Sequence, residues 1–239
     1  MYGTTLPYHV TDEDREELGI VGQALTPETV HEVFELVRAD NHAFSIEAFT
    51  LMQAIDPTTG DSLLHVAVRR GSMDGVVELM DRFSREDYKE FHTWARHAFI
   101  AHQNHTGDTV FHIAARNGNL ALMKMIYRYI CFHSSAPFPD DDSDAPEDDV
   151  YPTSVTEEDS SSRLMLLLTR NRAGRDVMAE ARLVGNDELA DWLDAVADRL
   201  DPKGNRRTKE GIAKMTAKVE YLFWYDLMSE RQQRQLKSS

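Results

Sequence analysis

Histidine and cysteine side chains are the groups of this chain that could coordinate a metal ion or attack a substrate. The sequence has ten histidines and a single cysteine, Cys131. Four of the histidines lie close together, at His92, His97, His102 and His105. On a helix, side chains five residues apart point about 140° away from each other, so these imidazoles do not converge on the tetrahedral geometry of zinc. We therefore predict no metal site and no cofactor.

No recognisable catalytic motif accompanies these residues. The sequence contains no Walker loop, no dinucleotide-binding glycine turn, no nucleophile elbow and no paired-cysteine zinc motif. Cys131 lies in an apolar stretch, beside Ile130 and Phe132, which is typical of a buried and unreactive thiol. We predict that the protein is not an enzyme and has no catalytic residues.

Composition narrows the classes of partner. The chain has 239 residues, is 41% hydrophobic and carries a formal net charge of −15. Nucleic-acid affinity comes largely from excess positive charge, so this balance disfavours a nucleic-acid partner. No apolar run approaches the roughly 20 residues of a membrane-spanning helix, and the N-terminus does not resemble a secretory signal. With one cysteine, no internal disulfide can form. We predict a cytoplasmic protein without a membrane partner.

One sequence motif occurs twice, and the helices that it predicts must position the histidine and cysteine side chains. It reads GDSLLHVAVRRG over 60–71 and GDTVFHIAARNG over 107–118. Ser62 and Thr109 are good helix N-caps, and the closing glycines can adopt the left-handed conformation that ends a helix. A second helix with a regular apolar face comes after each copy. Self-similarity of this kind indicates stacked helical units.

The motif resembles the signature of the ankyrin-repeat family, Gly-x-Thr-Pro-Leu-His-x-Ala-Ala-x-x-Gly. Here Leu63 and Val110 stand in the proline place. A third and weaker copy begins at Asn171, with Asp176 in the threonine place and Ala179 in the histidine place. In that family the histidine ties the turn to the helix by hydrogen bonds, so the resemblance implies that His65 and His112 are structural. The predicted units span 56–83, 104–132 and 171–200.

The resemblance implies an all-α fold, an ankyrin-type helical solenoid with a helical N-terminal cap, an inserted helix and a long C-terminal helix. We predict three regions: an N-terminal segment and cap (1–55), a repeat array with insertions (56–200), and a basic C-terminal helix (201–239). The insertions fall at 84–103 and 133–163, and the first contains the inserted helix.

Helices outside the repeats are predicted from capping residues and apolar spacing. One helix is predicted from Thr26 to about Arg38, and another from Ser45 to about Ala54. A third, starting at Ser84, carries an apolar stripe, and the C-terminal helix begins at Thr208. The apolar stripes of the predicted helices are Val30, Val33, Phe34 and Val37; Phe91, Trp94, Ala95, Ala98 and Phe99; Ile212, Met215, Val219, Leu222 and Phe223.

Two segments of opposite charge flank the third copy. The acidic loop, 140–159, has ten acids and no Lys or Arg, and it is either a solvated loop or a strip that docks a basic partner. The segment 203–239 has nine bases against four acids. Its apolar face either packs on the last repeat or binds a partner, with Trp224 and Tyr225 in the aromatic patch and Arg231 and Arg234 in the basic end.

In the ankyrin family the turn tips and the exposed side of each first helix face the partner. The resemblance therefore implies a protein-binding groove in this chain. Its candidate residues are Val66, Arg69, Arg70, His105, Asp108, Ile113, Arg116, Asn117 and Arg172, with Glu180, Leu183 and Val184 at the corresponding places of the third copy. Three of them, Arg69, Arg70 and Arg116, favour an acidic peptide as ligand.

These observations favour a non-catalytic scaffold for protein–protein interaction. The large share of insertions and terminal helices is typical of a structural subunit of a larger assembly, and a cytoskeletal, ciliary or flagellar assembly is one such setting. The alternative is a regulatory adaptor or inhibitor that presents the groove to one soluble enzyme. In either case the predicted partners are proteins, bound through the groove, the acidic loop and the basic helix.

Overall fold

The computed structural model describes residues 26–41, 48–82, 96–129 and 157–227. The regular secondary structure of these residues is helical, and the pairing of Ile55 with Ser62 is an isolated bridge rather than a strand. The all-α prediction is confirmed for this part of the chain. Within the same ranges, no helix combines the length and the apolar character needed to span a bilayer.

The helices succeed one another with short turns between most of them. In chain order they are α1 (Pro27–Arg38), α2 (Ala48–Gln53), α3 (Leu63–Arg70), α4 (Met73–Asp81), α5 (96–101), α6 (Val110–Asn117), α7 (Leu120–Arg128), α8 (Glu157–Leu168), α9 (Val177–Leu183), α10 (Asp187–Leu200) and α11 (Lys209–Leu227).

Three helical hairpins form a stack. We call them unit 1 (56–82, with α3 and α4), unit 2 (104–129, with α6 and α7) and unit 3 (171–200, with α9 and α10). The first helices form a row, in which α3 packs on α6 and α6 packs on α9. At the upstream end of the row α1 packs on α3. The predicted stack of helical units is therefore present.

The ends of the unit helices are where the sequence signals place them. Ser62 caps α3 and accepts a hydrogen bond from the His65 amide, Thr109 is the N-cap of α6, and Asp176 caps α9. Gly71 and Gly118 close α3 and α6 with φ of 74° and 68°, in the left-handed region that favours glycine. These capping predictions are confirmed.

The second helix of each unit buries a matching apolar pair against the row of first helices. The pairs are Val76 with Leu79, Met123 with Ile126, and Ala190 with Leu193. The same pair is repeated because each unit has an apolar face that only a neighbouring helix can remove from water.

The predicted N-terminal cap and inserted helix are partly described. Thr26 Oγ1 accepts from the Thr29 amide at 3.2 Å, and the α1 face of Val33, Phe34 and Val37 is buried, as predicted. The start predicted for α2, at Ser45, lies outside the described residues. In α5, the C-terminal part of the predicted inserted helix, Ala98 and Phe99 are buried. The first three members of its stripe, 91–95, lie outside the described residues.

The end of the acidic insertion differs from the prediction. The sequence assigns 157–163 to the insertion, whereas in the structure these residues begin α8. Acids in a first helical turn interact favourably with the helix dipole. The later turns bury Arg163 and an apolar run, Leu164 to Leu167, because α8 packs on α10 and α11. The remainder of the acidic loop, 140–156, lies outside the described residues.

Helix α11 begins close to its predicted start and packs on an unforeseen neighbour. Thr208 Oγ1 accepts from the Gly211 amide at 3.0 Å, which caps the helix. Its packing partner is mainly α8, not the helices of unit 3. Met215 is buried in that contact, while Ile212 keeps 38% of its surface exposed. Of the two alternatives for this face, packing on the last repeat does not describe the observed contact, because the described part of α11 packs on α8, which in turn packs on α10.

Candidate functional site

The turn tips of the three units form a continuous row of main-chain hydrogen bonds. The His105 amide donates to the Thr59 carbonyl at 2.9 Å, and the Arg172 amide donates to the Thr106 carbonyl at the same distance. Because main-chain bonds fix each tip against the previous one, the tips present a pre-organised edge rather than three independent loops.

One histidine joins unit 1 to unit 2, and another joins unit 2 to unit 3. His65 Nε2 donates to the Asp108 carbonyl at 3.0 Å, and His112 Nε2 donates to the Arg175 carbonyl at 3.1 Å. The other ring nitrogen, Nδ1, bonds the N-cap hydroxyl of its own helix, at 2.9 Å from Ser62 and 2.8 Å from Thr109. The prediction that these imidazoles make structural hydrogen bonds is confirmed, and the bonds also extend to the following unit.

Burial keeps these imidazoles neutral. It lowers the pKa of His65 to about 4, with a further contribution from His102, whose ring centroid lies 5.5 Å away. Burial also lowers the pKa of His112 and holds the pKa of His97 near 3. A neutral ring with both nitrogens bonded can donate to a main-chain carbonyl, and it has no free nitrogen to exchange a proton with a substrate.

No metal-binding constellation occurs within the described ranges. No group of three or more His, Cys, Asp or Glu side chains in them is arranged to hold an ion. His102 is buried and donates from Nε2 to the Gly60 carbonyl at 2.8 Å, which ties the segment after α5 to unit 1. His105 lies at a turn tip, where its Nδ1 is 3.0 Å from the Thr58 carbonyl.

Carboxylates next to the turn glycines form a second link between units. Asn104 Nδ2 donates to Asp61 at 2.7 Å, and Asn171 Nδ2 donates to Asp108 at 3.0 Å. Each aspartate also pairs with the arginine eight residues later: Arg69 lies 2.7 Å from Asp61, and Arg116 lies 2.5 Å from Asp108. Sequence reasoning missed these pairs, although the Asp and the Arg recur at equal offsets in units 1 and 2, and the Asn recurs at equal offsets in units 2 and 3.

Asp108 is ionised and held in place by its partners. Burial raises the pKa of its carboxyl group, but hydrogen bonds from Arg116, Thr106 and Asn171 outweigh this effect and hold the pKa at about 2. A permanently charged and fully hydrogen-bonded carboxylate acts as a structural anchor rather than as a proton donor.

Unit 3 carries a different charge pattern at the same backbone positions. Arg175 stands in the place of Asp61 and Asp108, and the buried Glu180 stands in the place of Val66 and Ile113. Asn171 Nδ2 and Arg175 Nε donate to one oxygen of Glu180 at 2.6 Å and 2.8 Å. Arg116 of unit 2 lies 3.4 Å from the same oxygen, so this cluster also joins two units.

Four candidate binding residues are buried, so the prediction that they face a partner is wrong. The exposed fractions of Val66, Asp108, Ile113 and Glu180 are 8%, 5%, 2% and 0%. Val66 and Ile113 lie within the row of packed first helices, and Asp108 lies between the turns of units 2 and 3. The sequence pattern marks Asp108 as a turn position and the others as variable places of the repeat, but the packing of this stack leaves them little contact with solvent.

The candidate arginines are less available than their number suggests. Arg69 is paired with Asp61, and Arg116 is half-buried with Asp108 and Glu180. Arg70 and Arg172 are exposed and make no ion pair with any residue that the structure describes. The predicted cluster of three free arginines on this face is therefore reduced to Arg70, with Arg172 added at the tip of unit 3.

The remaining candidates have mixed outcomes. Asn117 is exposed, and its Nδ2 donates to the Val68 carbonyl at 2.7 Å, which again joins units 1 and 2. Trp224 and Tyr225 lie on α11, and their side chains lie outside the described part. Arg231 and Arg234 lie outside the described residues. At the end of α9, Leu183 and Val184 keep 64% and 47% of their surface exposed.

Comparison with known proteins adds one structural similarity. No family model matches the chain, and no curated protein matches it. Among solved structures, a chain in the "Crystal Structure of the Yeast Ribosomal Protein Rps3 in Complex with its Chaperone Yar1" is similar over 71% of this chain and 93% of that chain. The identity is 19% and the TM-score 0.48. A similarity at this level carries no argument about function. The described residues themselves define the class: an all-α stack of helical hairpins.

Proposed function

We propose that this chain is an ankyrin-type array that acts as a non-catalytic scaffold for protein–protein interaction. The observation that carries the proposal is the exposed edge at the C-terminal ends of the first helices. We call it the edge surface and define it by Arg70, Asn117, Leu183 and Val184. A rigid edge built from several units suits an extended segment of another protein.

The chemistry of the edge surface changes along the stack. It begins in unit 1 with Arg70, which makes no ion pair with any described residue, continues with the amide of Asn117 in unit 2, and ends with two adjacent exposed apolar side chains in unit 3. We infer a partner segment with a carboxylate against Arg70 and an apolar residue against Leu183 and Val184. This replaces the purely acidic peptide expected from the count of arginines.

The described histidines and carboxylates support a binding function over catalysis. The buried His65, His112 and Asp108 are engaged in hydrogen bonds between units, and their pKa values are moved away from neutrality. Groups that exchange protons with a substrate need pKa values near the working pH and access to a cleft. These three have neither property.

The proposed setting is a larger cytoplasmic assembly, with a cytoskeletal, ciliary or flagellar assembly as one example. Support comes from the proportion of the chain that lies outside the three units, in terminal segments and insertions. Such additions suit a subunit that contacts several neighbours through different surfaces. A regulatory adaptor or inhibitor is the alternative, and it predicts a free pool with one partner.

Cross-linking mass spectrometry in native extract tests this proposal. The scaffold account predicts cross-links from partner proteins to the turn tips and to the last residues of α9, with several neighbours in stable stoichiometry. An adaptor gives a single neighbour. A monodisperse, folded chain without any cross-linked neighbour would contradict both accounts.

A further inference from the structure

A cleft of about 240 Å³ lies outside the edge surface, between α8 and α11. Its floor and walls are apolar: Met165 and Leu168 come from α8, and Ile212 and Met215 from α11. Ile212 is among the most exposed large apolar side chains of the described residues, at 38%. The rim is formed by Gln103, Thr169, Arg170 and Thr216.

The amide of Gln103 and the hydroxyls of Thr169 and Thr216 already have hydrogen-bond partners within the fold. Gln103 Nε2 donates to the Gly107 carbonyl at 2.7 Å and to the Arg170 carbonyl at 3.2 Å. The Thr169 and Thr216 hydroxyls each donate to a main-chain carbonyl of their own helix at 2.8 Å. These groups are therefore not available to a ligand, and the two methionines of the cleft can adapt to different apolar shapes.

Arg170 gives the cleft a charge preference. Its side chain is exposed and makes no ion pair with any residue of the described part. A guanidinium that makes no ion pair with the described residues, placed beside an apolar opening, can pair with a carboxylate of another molecule at short range.

We propose that the α8–α11 cleft receives one bulky apolar side chain of a partner protein, with an Asp or Glu on the adjacent residue paired to Arg170. The volume is smaller than the roughly 300 to 1,000 Å³ of sites for drug-sized ligands, and it suits a single anchoring side chain. This inference rests on the proposed protein-binding function, but it assigns a second surface that is formed by helices outside the three units.

Methyl NMR of the full chain labelled at methionine tests the cleft directly. Met165 and Met215 line it, and their methyl signals can be assigned from the Met165→Leu and Met215→Leu variants. The probes are the blocked dipeptides Ac-Phe-Glu-NH2, Ac-Phe-Gln-NH2 and Ac-Ala-Glu-NH2. We expect saturable shifts of both methyl signals with the first probe and at least about fivefold weaker binding of the other two.

Charge variants separate the cleft from non-specific attraction. Arg170→Gln should weaken Ac-Phe-Glu-NH2 to the level of Ac-Phe-Gln-NH2. Arg172→Gln, at an exposed arginine without an ion pair that does not line the cleft, should leave binding unchanged. Absence of shifts, or equal affinity of all three probes, would overturn the proposal. Either failure leaves cross-links to the edge surface unaffected, so the two proposals fail separately.

Discussion

Units 2 and 3 have the same turn geometry but different connections to the next part of the chain. In each turn the main-chain amide of an asparagine donates to the main-chain carbonyl four residues later at 3.0 Å, from Asn104 to Asp108 and from Asn171 to Arg175. In unit 2, His112 then reaches the Arg175 carbonyl of unit 3. In unit 3, Ala179 occupies the histidine place and makes no such bond. The turn is therefore a local property, whereas the histidine bond needs a following unit to receive it.

The turn after α10 shows how the stack ends. The Gly204 amide donates to the Asp201 carbonyl at 2.9 Å, and the glycine has φ of 65°, as in the turns before it. Pro202 stands where unit 3 has Arg172, two residues before the glycine. Proline has no amide hydrogen, so it cannot make the tip-to-tip bond that Arg172 donates to Thr106. Ala179 and Pro202 together remove both kinds of link beyond unit 3.

The largest difference in stability between units 2 and 3 is expected when alanine replaces the turn glycine of each unit. Gly107 and Gly174 share φ of 76°, but a Cβ at Gly107 would lie 2.8 Å from the Arg172 amide nitrogen, while nothing would lie within 4 Å of one at Gly174. Gly107→Ala should therefore cost about 3 kcal/mol or more, and the matched control Gly174→Ala only about 1 to 2 kcal/mol of backbone strain. Urea unfolding measures both, and equal costs would contradict the stacking of unit 3 on that turn.

Removing a histidine between units should have the next largest effect. His112→Ala leaves the Arg175 carbonyl and the Thr109 hydroxyl without their buried partner, and it opens a cavity. We expect a loss of about 2 to 4 kcal/mol in the free energy of unfolding. Ala179→His should give no comparable gain, because no following unit presents a carbonyl to it. A loss below about 0.5 kcal/mol for His112→Ala would contradict the role assigned to this bond.

Acid should destabilise the bonds between units in a defined pH window. The pKa of His65 is lowered by burial from 6.5 to about 4, so the unfolded chain binds the proton more readily. Its contribution to stability is complete above pH 6.5 and is lost as the pH falls towards 4, by on the order of 3 kcal/mol.

The variant His65→Gln should flatten the dependence of unfolding free energy on pH within that window, whatever its effect on stability at neutral pH. The carboxylate of Asp108, with a pKa of about 2, stabilises the fold at pH values above the ordinary aspartate pKa. This contribution is lost only as the pH falls below that value. An unchanged slope between pH 6.5 and 4 in the variant would show that the imidazole does not titrate with folding.

The smallest effect on stability is expected at the end of α9. Leu183 is 64% exposed, so Leu183→Ser should change the unfolding free energy by less than about 0.5 kcal/mol. Ile113→Ala, at a side chain only 2% exposed, should cost about 2 to 4 kcal/mol. Thermal unfolding of the two variants separates an exposed binding residue from a packing residue. A large loss for Leu183→Ser would mean that it packs within the stack.

Local signals in the sequence predict much of this fold. The caps Ser62, Thr109 and Asp176, the closing glycines and the apolar pairs of the second helices all depend on residues within one turn or helix. The location of α8 was missed because its first turn is acidic and continuous in composition with the acidic loop. The burial of Val66 and Ile113 was also missed, because it depends on how neighbouring first helices pack.

The number of arginines available to a partner could not be predicted from the sequence alone. Arg69 and Arg116 appear as free cations in the repeated motif, but each is opposite an aspartate eight residues earlier once the turn folds back on its helix. The neighbour of α11 was equally inaccessible, because the choice between α8 and unit 3 is a tertiary one. For the arginine pairs, the sequence did offer one signal, because an Asp and an Arg recur eight residues apart in units 1 and 2.

Paired affinity purification from native extract is the decisive test of the edge surface. The bait is the full chain, compared with an edge-surface variant, Arg70→Glu with Leu183→Asp, and with a control at an exposed acid of α10, Asp191→Lys. We expect that the control retains the partner proteins of the unmodified chain, while the edge variant loses them at unchanged thermal stability. Retention of the same partners by the edge variant would contradict a binding role for this surface.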